Sequence, residues 1–214
     1  VEIAENSCNP GFVELGQRLG MDKFYKYLLD FGFGRKTGIE MSGEAKGILA
    51  DKKKATALDL ATMSIGQTNN VTPIQLITAV SAVANGGVLL QPQLVQEIIS
   101  PDGEVLVPFE KKVVRRVISE STSKTVREIL ESVVTNGTGR RAFLSGYRVA
   151  GKTGTAQKVG KGGYIQGEYV ASFIAFAPAD NPRVTVLVVI DGVPFYGGVV
   201  AGPVVQAVML DTLK

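Results

Sequence analysis

The run Lys152-Thr153-Gly154-Thr155 brings a cation, two hydroxyls and a position without a side chain together on what reads as a strand. Ser7-Cys8-Asn9 offers a hydroxyl and a carboxamide on either side of a thiol, directly ahead of a helical pattern. A lysine beside serine and threonine hydroxyls can move protons and hold an anion, which is what acyl transfer needs. The absences narrow the chemistry. With no His, a Ser-His-Asp triad, a Cys-His pair and a His-ligated metal are excluded within the chain. One Cys, Cys8, allows neither an internal disulfide nor a thiolate cluster. A proton carrier here is therefore Lys or a carboxylate, and no metal or other cofactor is expected.

Three other runs compete with these. Gly146-Tyr147-Arg148-Val149-Ala150-Gly151-Lys152-Thr153 matches the phosphate-binding pattern G-x-x-x-x-G-K-[ST] letter for letter. Such a loop needs a buried strand before it and a helix straight after, with the helix N-terminus facing the phosphates. Phe143-Leu144-Ser145 is short for that strand, and the glycine-rich run from Thr153 to Gly163 does not start a helix. The context therefore argues against a P-loop NTPase. Lys36-Thr37-Gly38 is a second K-T-G, in a glycine-rich segment without strand periodicity, and reads as fortuitous. Ser121-Thr122-Ser123-Lys124 is an S-x-x-K at the polar start of a helix, where Ser and Thr are ordinary caps, and is not accepted as a nucleophile.

The elements that must position these residues read as helices first and strands last. Asn9-Pro10 followed by Phe12, Val13, Leu15 and Leu19 predicts a short amphipathic helix, capped by Asn9 and stopped at Gly20. Further helices are expected from Asp22 to Phe31, from Ala57 to Ile65, and from Thr72-Pro73 to Gly86-Gly87. The last of these would bury Ile74, Leu76, Ile77, Val80 and Val83, while Phe24, Tyr27 and Phe143 are expected in the core. Residues 32–54 read as loop with at most one short strand. Two short strands flank the Pro101-Asp102-Gly103 turn between Val88 and Pro108, and Ser119 caps a helix from Glu120 to Thr135. Arg148 to Lys158, Tyr169 to Ala177 and Arg183 to Asp191 read as strands, the last two joined by a five-residue link from Pro178 to Pro182 that suits an antiparallel hairpin. A helix from Ala201 to Leu213 follows, with Pro203 in its first turn. The fold class is α+β, read as one partial domain: 1–147 mainly helical, 148–214 sheet plus closing helix.

The runs Glu5 to Gly16, Ser64 to Gln67, Val71 to Gln75, Asn136 to Gly139, Gly151 to Gln157 and Phe176 to Ala179 together resemble the class B penicillin-binding proteins, in family order along nearly the whole chain. The wording around Ser7 and after Tyr147 is most similar to the sporulation branch. The resemblance implies the C-terminal part of a penicillin-binding protein/serine β-lactamase-like transpeptidase domain, with S-x-N at Ser7 and K-T-G at Lys152. It implies a D,D-transpeptidase: a serine attacks the penultimate D-Ala carbonyl of a stem peptide, and a neighbouring amine resolves the acyl-enzyme. β-Lactams would mimic D-Ala-D-Ala.

By the same resemblance, Ser7 relays protons between the nucleophile's Lys, Lys152 and the leaving group, and Asn9 bonds the substrate's amide backbone. Lys152 supplies positive charge, Thr153 and Thr155 bind the substrate carboxylate, and the Thr155 N–H is an oxyanion-hole donor. Gly154 would let the acyl chain approach the strand edge. Cys8 would lie in the cleft as a redox site, or pack as a small buried hydrophobe. Blander readings make Ser7 and Asn9 helix caps and Gly66 a helix C-cap. A penicillin-recognising sensor domain of the same fold is the alternative function. The nucleophile, two further sheet strands, a pedestal domain and a membrane anchor are expected upstream, on the extracytoplasmic face, with a glycosyltransferase as partner. The chain alone is then expected to be inactive.

At 214 residues, 45% hydrophobic and 20% charged, the chain suits one domain with a sizeable core. A formal charge of +3, with lysines scattered apart from Lys52-Lys53-Lys54 and the stretch Lys111 to Arg116, points to solvated faces rather than nucleic acid. No apolar run reaches the length of about 18 residues that a membrane crossing takes.

Overall fold

Helix starts are where this sequence is most explicit. Thr56 accepts from the Asp59 N–H while the Asp59 carboxylate reaches back to the Thr56 N–H, a reciprocal capping box. Thr72 and Gln75 repeat it, with Pro73 in the first turn. Ser119 accepts from the Thr122 N–H. The computed structural model describes residues 1–160 and 163–214, and these caps open three of its helices.

In chain order the helices are α1 (Glu2–Glu5), α2 (Asn9–Leu19), α3 (Met21–Asp30), α4 (Ala57–Ser64), α5 (Pro73–Ala84), α6 (Glu120–Thr135), α7 (Gly197–Val200) and α8 (Gly202–Leu213), with a 3₁₀ turn at Arg140–Ala142. The strands are β1 (Val88–Leu90), β2 (Ile98–Ile99), β3 (Val105–Val107), β4 (Val113–Arg116), β5 (Ala150–Gly160), β6 (Gly163–Ala177) and β7 (Val184–Val193). The main sheet is antiparallel in the order β5-β6-β7. Two small antiparallel pairs, β1 with β4 and β2 with β3, stand apart from it. Mixed helix and antiparallel sheet is the α+β class expected.

Helices cover both faces of the sheet. On one face Phe173, Ala175 and Ala177 of β6 meet Val205, Met209 and Leu213 of α8, with Val134 of α6 at the edge. On the other, Phe176 and Ala150 meet Ala84 of α5 and Ala179, with Val80 and Leu130 against them. The period-2 alternation of β6 thus feeds two cores. Phe173 and Phe176 are fully buried, and burying each is worth about 1.5–3 kcal/mol. With both faces held, β5 is left as a sheet edge.

Several expectations shift. In α5 the fully buried face is Gln75, Ala79 and Ala82, while Ile74, Leu76, Ile77, Val80 and Val83 are half-buried. Small residues allow the closest approach, and Gln75 is satisfied there by the carbonyls of Arg35 and Lys46, at 2.6 and 2.9 Å. Tyr25 is the buried aromatic of α3, its hydroxyl donating to the Ala50 carbonyl at 2.9 Å. Phe24 is half-buried, whereas Tyr27 and Phe143 are 38% and 49% exposed. The hairpin around Pro101-Asp102-Gly103 forms as β2 and β3, but β1 pairs instead with β4, a strand the sequence reading missed. Lys161 and Gly162, in the glycine-rich run after Thr153, lie outside the described residues. The phosphate-loop match fails: Gly151-Lys152-Thr153 sits inside the continuous strand β5, which runs into β6 and not into a helix.

Candidate active site

Ser7 sits at a helix end that would ordinarily carry glycine. The Ser7 N–H donates to the Ala4 carbonyl at 3.2 Å and the Cys8 N–H to the Ile3 carbonyl at 2.9 Å, the paired bonds of a Schellman motif closing α1. The residue in the C′ position adopts left-handed backbone, and Ser7 has φ 51°. A side chain there costs about 1–2 kcal/mol relative to the right-handed region. The hydroxyl is what glycine lacks, and it reaches the K-T-G strand: the Lys152 Nζ donates to the Ser7 Oγ at 2.7 Å.

Lys152 is held from one side only by its neighbour, with the Thr153 carbonyl 3.1 Å and the Thr153 Oγ1 3.5 Å from Nζ. Burial without a carboxylate partner lowers its pKa from 10.5 to about 8. Thr153 and Thr155 alternate with Lys152 along β5 and line the cleft. The Gly197 N–H at the start of α7 donates to the Thr155 Oγ1 at 3.1 Å, fixing that oxygen as an acceptor and leaving its O–H free to donate. The Thr138 and Thr153 hydroxyls lie 3.4 Å apart.

These groups face a cleft of about 850 Å³. Ser7 and Asn9 line one wall and Lys152, Thr153, Gly154 and Thr155 the other, so six of the seven sequence-nominated residues share it. The seventh does not: Cys8 is exposed and outside the lining, which corrects both the cleft and the buried readings of its side chain. Its position explains this, since as the N-cap residue of α2 it alternates away from its two neighbours. Neither Ser7 nor Asn9 caps α2 with its side chain; Ser7 belongs to the backbone motif that closes α1. A Cβ at Gly154 would lie 2.4 Å from the Ser172 Oγ on the paired strand, a hydroxyl that rotation about χ1 can move, so crowding from β6 alone does not demand glycine there. Ser121 and Lys124 are exposed on the first turn of α6, away from the cleft.

The sequence reading missed part of the rim. Arg140, Arg141, Tyr169 and Tyr196 line the cleft, and the two tyrosine rings stand 5.9 Å apart in tilted contact. Ser64 and Ile65 line it too; Gly66, read from sequence as cleft lining or helix C-cap, both follows the end of α4 and borders the site, while Gln67 is outside the lining. Nothing in residue type marked Arg140, Arg141, Tyr169 and Tyr196, because they converge from the 3₁₀ turn, β6 and the start of α7.

The comparisons agree with this geometry. The family described as the penicillin binding protein transpeptidase domain matches residues 1–210. The chain belongs to that family. It is 51% identical to stage V sporulation protein D of Bacillus subtilis across all of this chain and 34% of that protein. It is 36% identical to the probable peptidoglycan D,D-transpeptidase PenA of Neisseria gonorrhoeae over 99% of this chain and 35% of that one. Its fold superposes with a TM-score of 0.91 on penicillin binding protein 3 of Mycobacterium tuberculosis complexed with ampicillin, at 31% identity, over 99% of this chain and 49% of that one. The chain thus spans about a third of the length of these curated relatives. Among the described residues no helix is long and apolar enough to cross a membrane.

Proposed function

We propose that this chain supplies the S-x-N and K-T-G walls of the active site of a peptidoglycan D,D-transpeptidase. The observation that carries the reading is the 2.7 Å bond from the Lys152 Nζ to the Ser7 Oγ across an open cleft. In this reading a serine from an S-x-x-K segment upstream attacks the penultimate D-Ala carbonyl of a stem peptide. Ser7 and Lys152 carry protons to and from the departing D-Ala amine, with Lys152 cationic beside the terminal carboxylate. Thr153 and the free O–H of Thr155 bind that carboxylate, Asn9 bonds the peptide backbone, and the Thr155 N–H belongs to the oxyanion hole. β5 being a sheet edge favours a substrate laid along it as an added strand. β-Lactams, as D-Ala-D-Ala mimics, would acylate the same serine.

The 51% identity to a stage V sporulation protein D favours a role in cell-wall synthesis during sporulation. The longer protein would be held by an N-terminal anchor on the extracytoplasmic face and work beside a glycosyltransferase. Cys8, exposed next to the site, stays a candidate for redox pairing with a cysteine outside this chain.

The test uses the full-length protein. Labelled penicillin should bind covalently and without competition from nucleotide, and a stem peptide ending in D-Ala-D-Ala should turn over. Penicillin binding without any turnover would leave a sensor domain and sink the enzyme reading.

A further inference from the structure

The left-handed Ser7 raises the question of what holds it, since α1 is a single turn and the strained residue follows it. The support comes from the turn after α6. The Thr138 N–H donates to the Glu5 carbonyl at 2.9 Å, two residues before Ser7. There the two backbones cross so closely that a Cβ on Gly137 would lie 2.4 Å from the Glu5 carbonyl oxygen and 2.7 Å from the Glu5 Cα. Gly137 is not among the glycines with positive φ, so its requirement is space and not conformation. The Glu5 side chain adds a second tie: the Ser132 Oγ donates to the Glu5 Oε1, and the Asn136 Nδ2 donates to the Ser132 Oγ at 3.1 Å. α6 is in turn a neighbour of β5 through the shared core.

We infer that Gly137 and Glu5 are positioning residues, a backbone crossing and a side-chain tie that set the Ser7 hydroxyl against Lys152. The inference rests on the transpeptidase reading and gives a role to two residues outside the S-x-N and K-T-G motifs themselves. Strain at Ser7 is tolerated only where its surroundings over-determine it. Neither Gly137 nor Glu5 lines the cleft or touches Lys152; the crossing joins two residues that do line it, Ser7 and Thr138, and of these Ser7 is the one bonded to Lys152.

The experiment is a mutant cycle in the full-length protein, reading the rate of acylation by a fluorescent penicillin and its pH profile. G137A should lower the acylation rate about ten- to a hundredfold, the scale of a misplacement near 1 Å, with non-covalent affinity little changed. The limb assigned to Lys152 should move up from about 8, because a displaced Ser7 lets water back to the ammonium. In an S7A background G137A should have no further effect, since there is no hydroxyl left to position. S132A, which removes only the side-chain tie, should act in the same direction and more weakly, and it carries the cycle if G137A does not fold. Full acylation by G137A and S132A, or losses that add to that of S7A, would overturn the inference while leaving the transpeptidase reading intact. A wild-type protein that forms no adduct would overturn both.

Discussion

The chain contains the same tripeptide twice, and the two copies differ in what their donors already hold. At Lys36-Thr37-Gly38 the acceptor is built in: Glu44 takes the Thr37 N–H and hydroxyl at 2.6 Å each and the Gly38 N–H at 3.1 Å. Burial alone would raise the pKa of that carboxyl, but these donors outweigh it and hold it below its usual 4.5. Lys36 stands exposed beside a closed anion site whose anion belongs to the chain. At Lys152-Thr153-Gly154 no carboxylate of the described residues reaches the lysine; its partners are a hydroxyl and a carbonyl, and the face beyond is open cleft. The same donors make a structural staple in one place and face an open cleft in the other, where the proposed function puts a substrate carboxylate. A short motif acquires chemistry from what its surroundings leave unpaired.

The sharpest break in that comparison is all-or-none. If the open K-T-G only positions and stabilises, this chain by itself should form no penicilloyl adduct, because Lys152, with a pKa of about 8, is mainly cationic at neutral pH and donates to the Ser7 Oγ rather than taking its proton. Intact-mass spectrometry after excess benzylpenicillin should show the unmodified mass. An adduct on Ser7 would mean that the relay serine is the nucleophile, and one on Ser121 would mean that the exposed S-x-x-K had been dismissed wrongly.

Next in size is the lysine pair in the full-length protein. K152A should cut acylation on the order of 10²–10³-fold with the fold intact, the usual loss for one preorganised charge. K36A should change it by no more than about twofold, as for an ordinary surface substitution. Near-equal effects would erase the distinction between the copies.

The pH dependence separates them again. If cationic Lys152 is the working form, acylation should decline as pH rises through about 8. Stability runs the other way. Burial lowers the folded pKa below the unfolded value of 10.5, so between about 8 and 10.5 the unfolded chain binds the extra proton and the folded state gains stability as pH rises. Thermal melts of K152M should lack that rise, and those of K36M should keep it. A wild-type profile flat across this window would mean that the ammonium is better hydrated than its burial suggests.

How much of this was legible follows from where each signal lives. Capping residues act within three positions, so Thr72 and Ser119 announced their helices directly, while the Thr56 cap of α4 went unread and that helix was found from its pattern. The long strands β5 to β7 were visible from their apolar runs, though β6 begins six residues earlier than Tyr169, because the polar extension is stabilised by pairing with β5 and not by its own composition. Ser7, Asn9 and the K-T-G run were found as types in order. Their convergence was implied only by the family resemblance, and the left-handed backbone of Ser7 not at all, since it belongs to a turn that meets Gly137 through Glu5 across more than half the chain. Helix α5 shows the same limit: hydrophobicity pointed at its large aliphatics, and packing buried Gln75 and the alanines.

The smallest effect expected lies at the closed copy. In E44Q the amide still offers one acceptor oxygen, but its NH₂ faces a hydroxyl and N–H groups that are themselves donors. About 1 kcal/mol of stability should be lost, as for one unsatisfied hydrogen bond, measurable as a lower urea midpoint with an unchanged slope. The acid limb gives a second reading. Because the folded Glu44 pKa lies below 4.5, its contribution is present above that value and disappears as pH falls through the lowered one, so wild type should lose stability there and E44Q should lose less. Acylation by the full-length E44Q protein should be unaffected. Were it to fall with K152A-like severity, the loop of Lys36-Thr37-Gly38 would be coupled to the cleft, and its likeness to the run on β5 would be more than a coincidence of three letters.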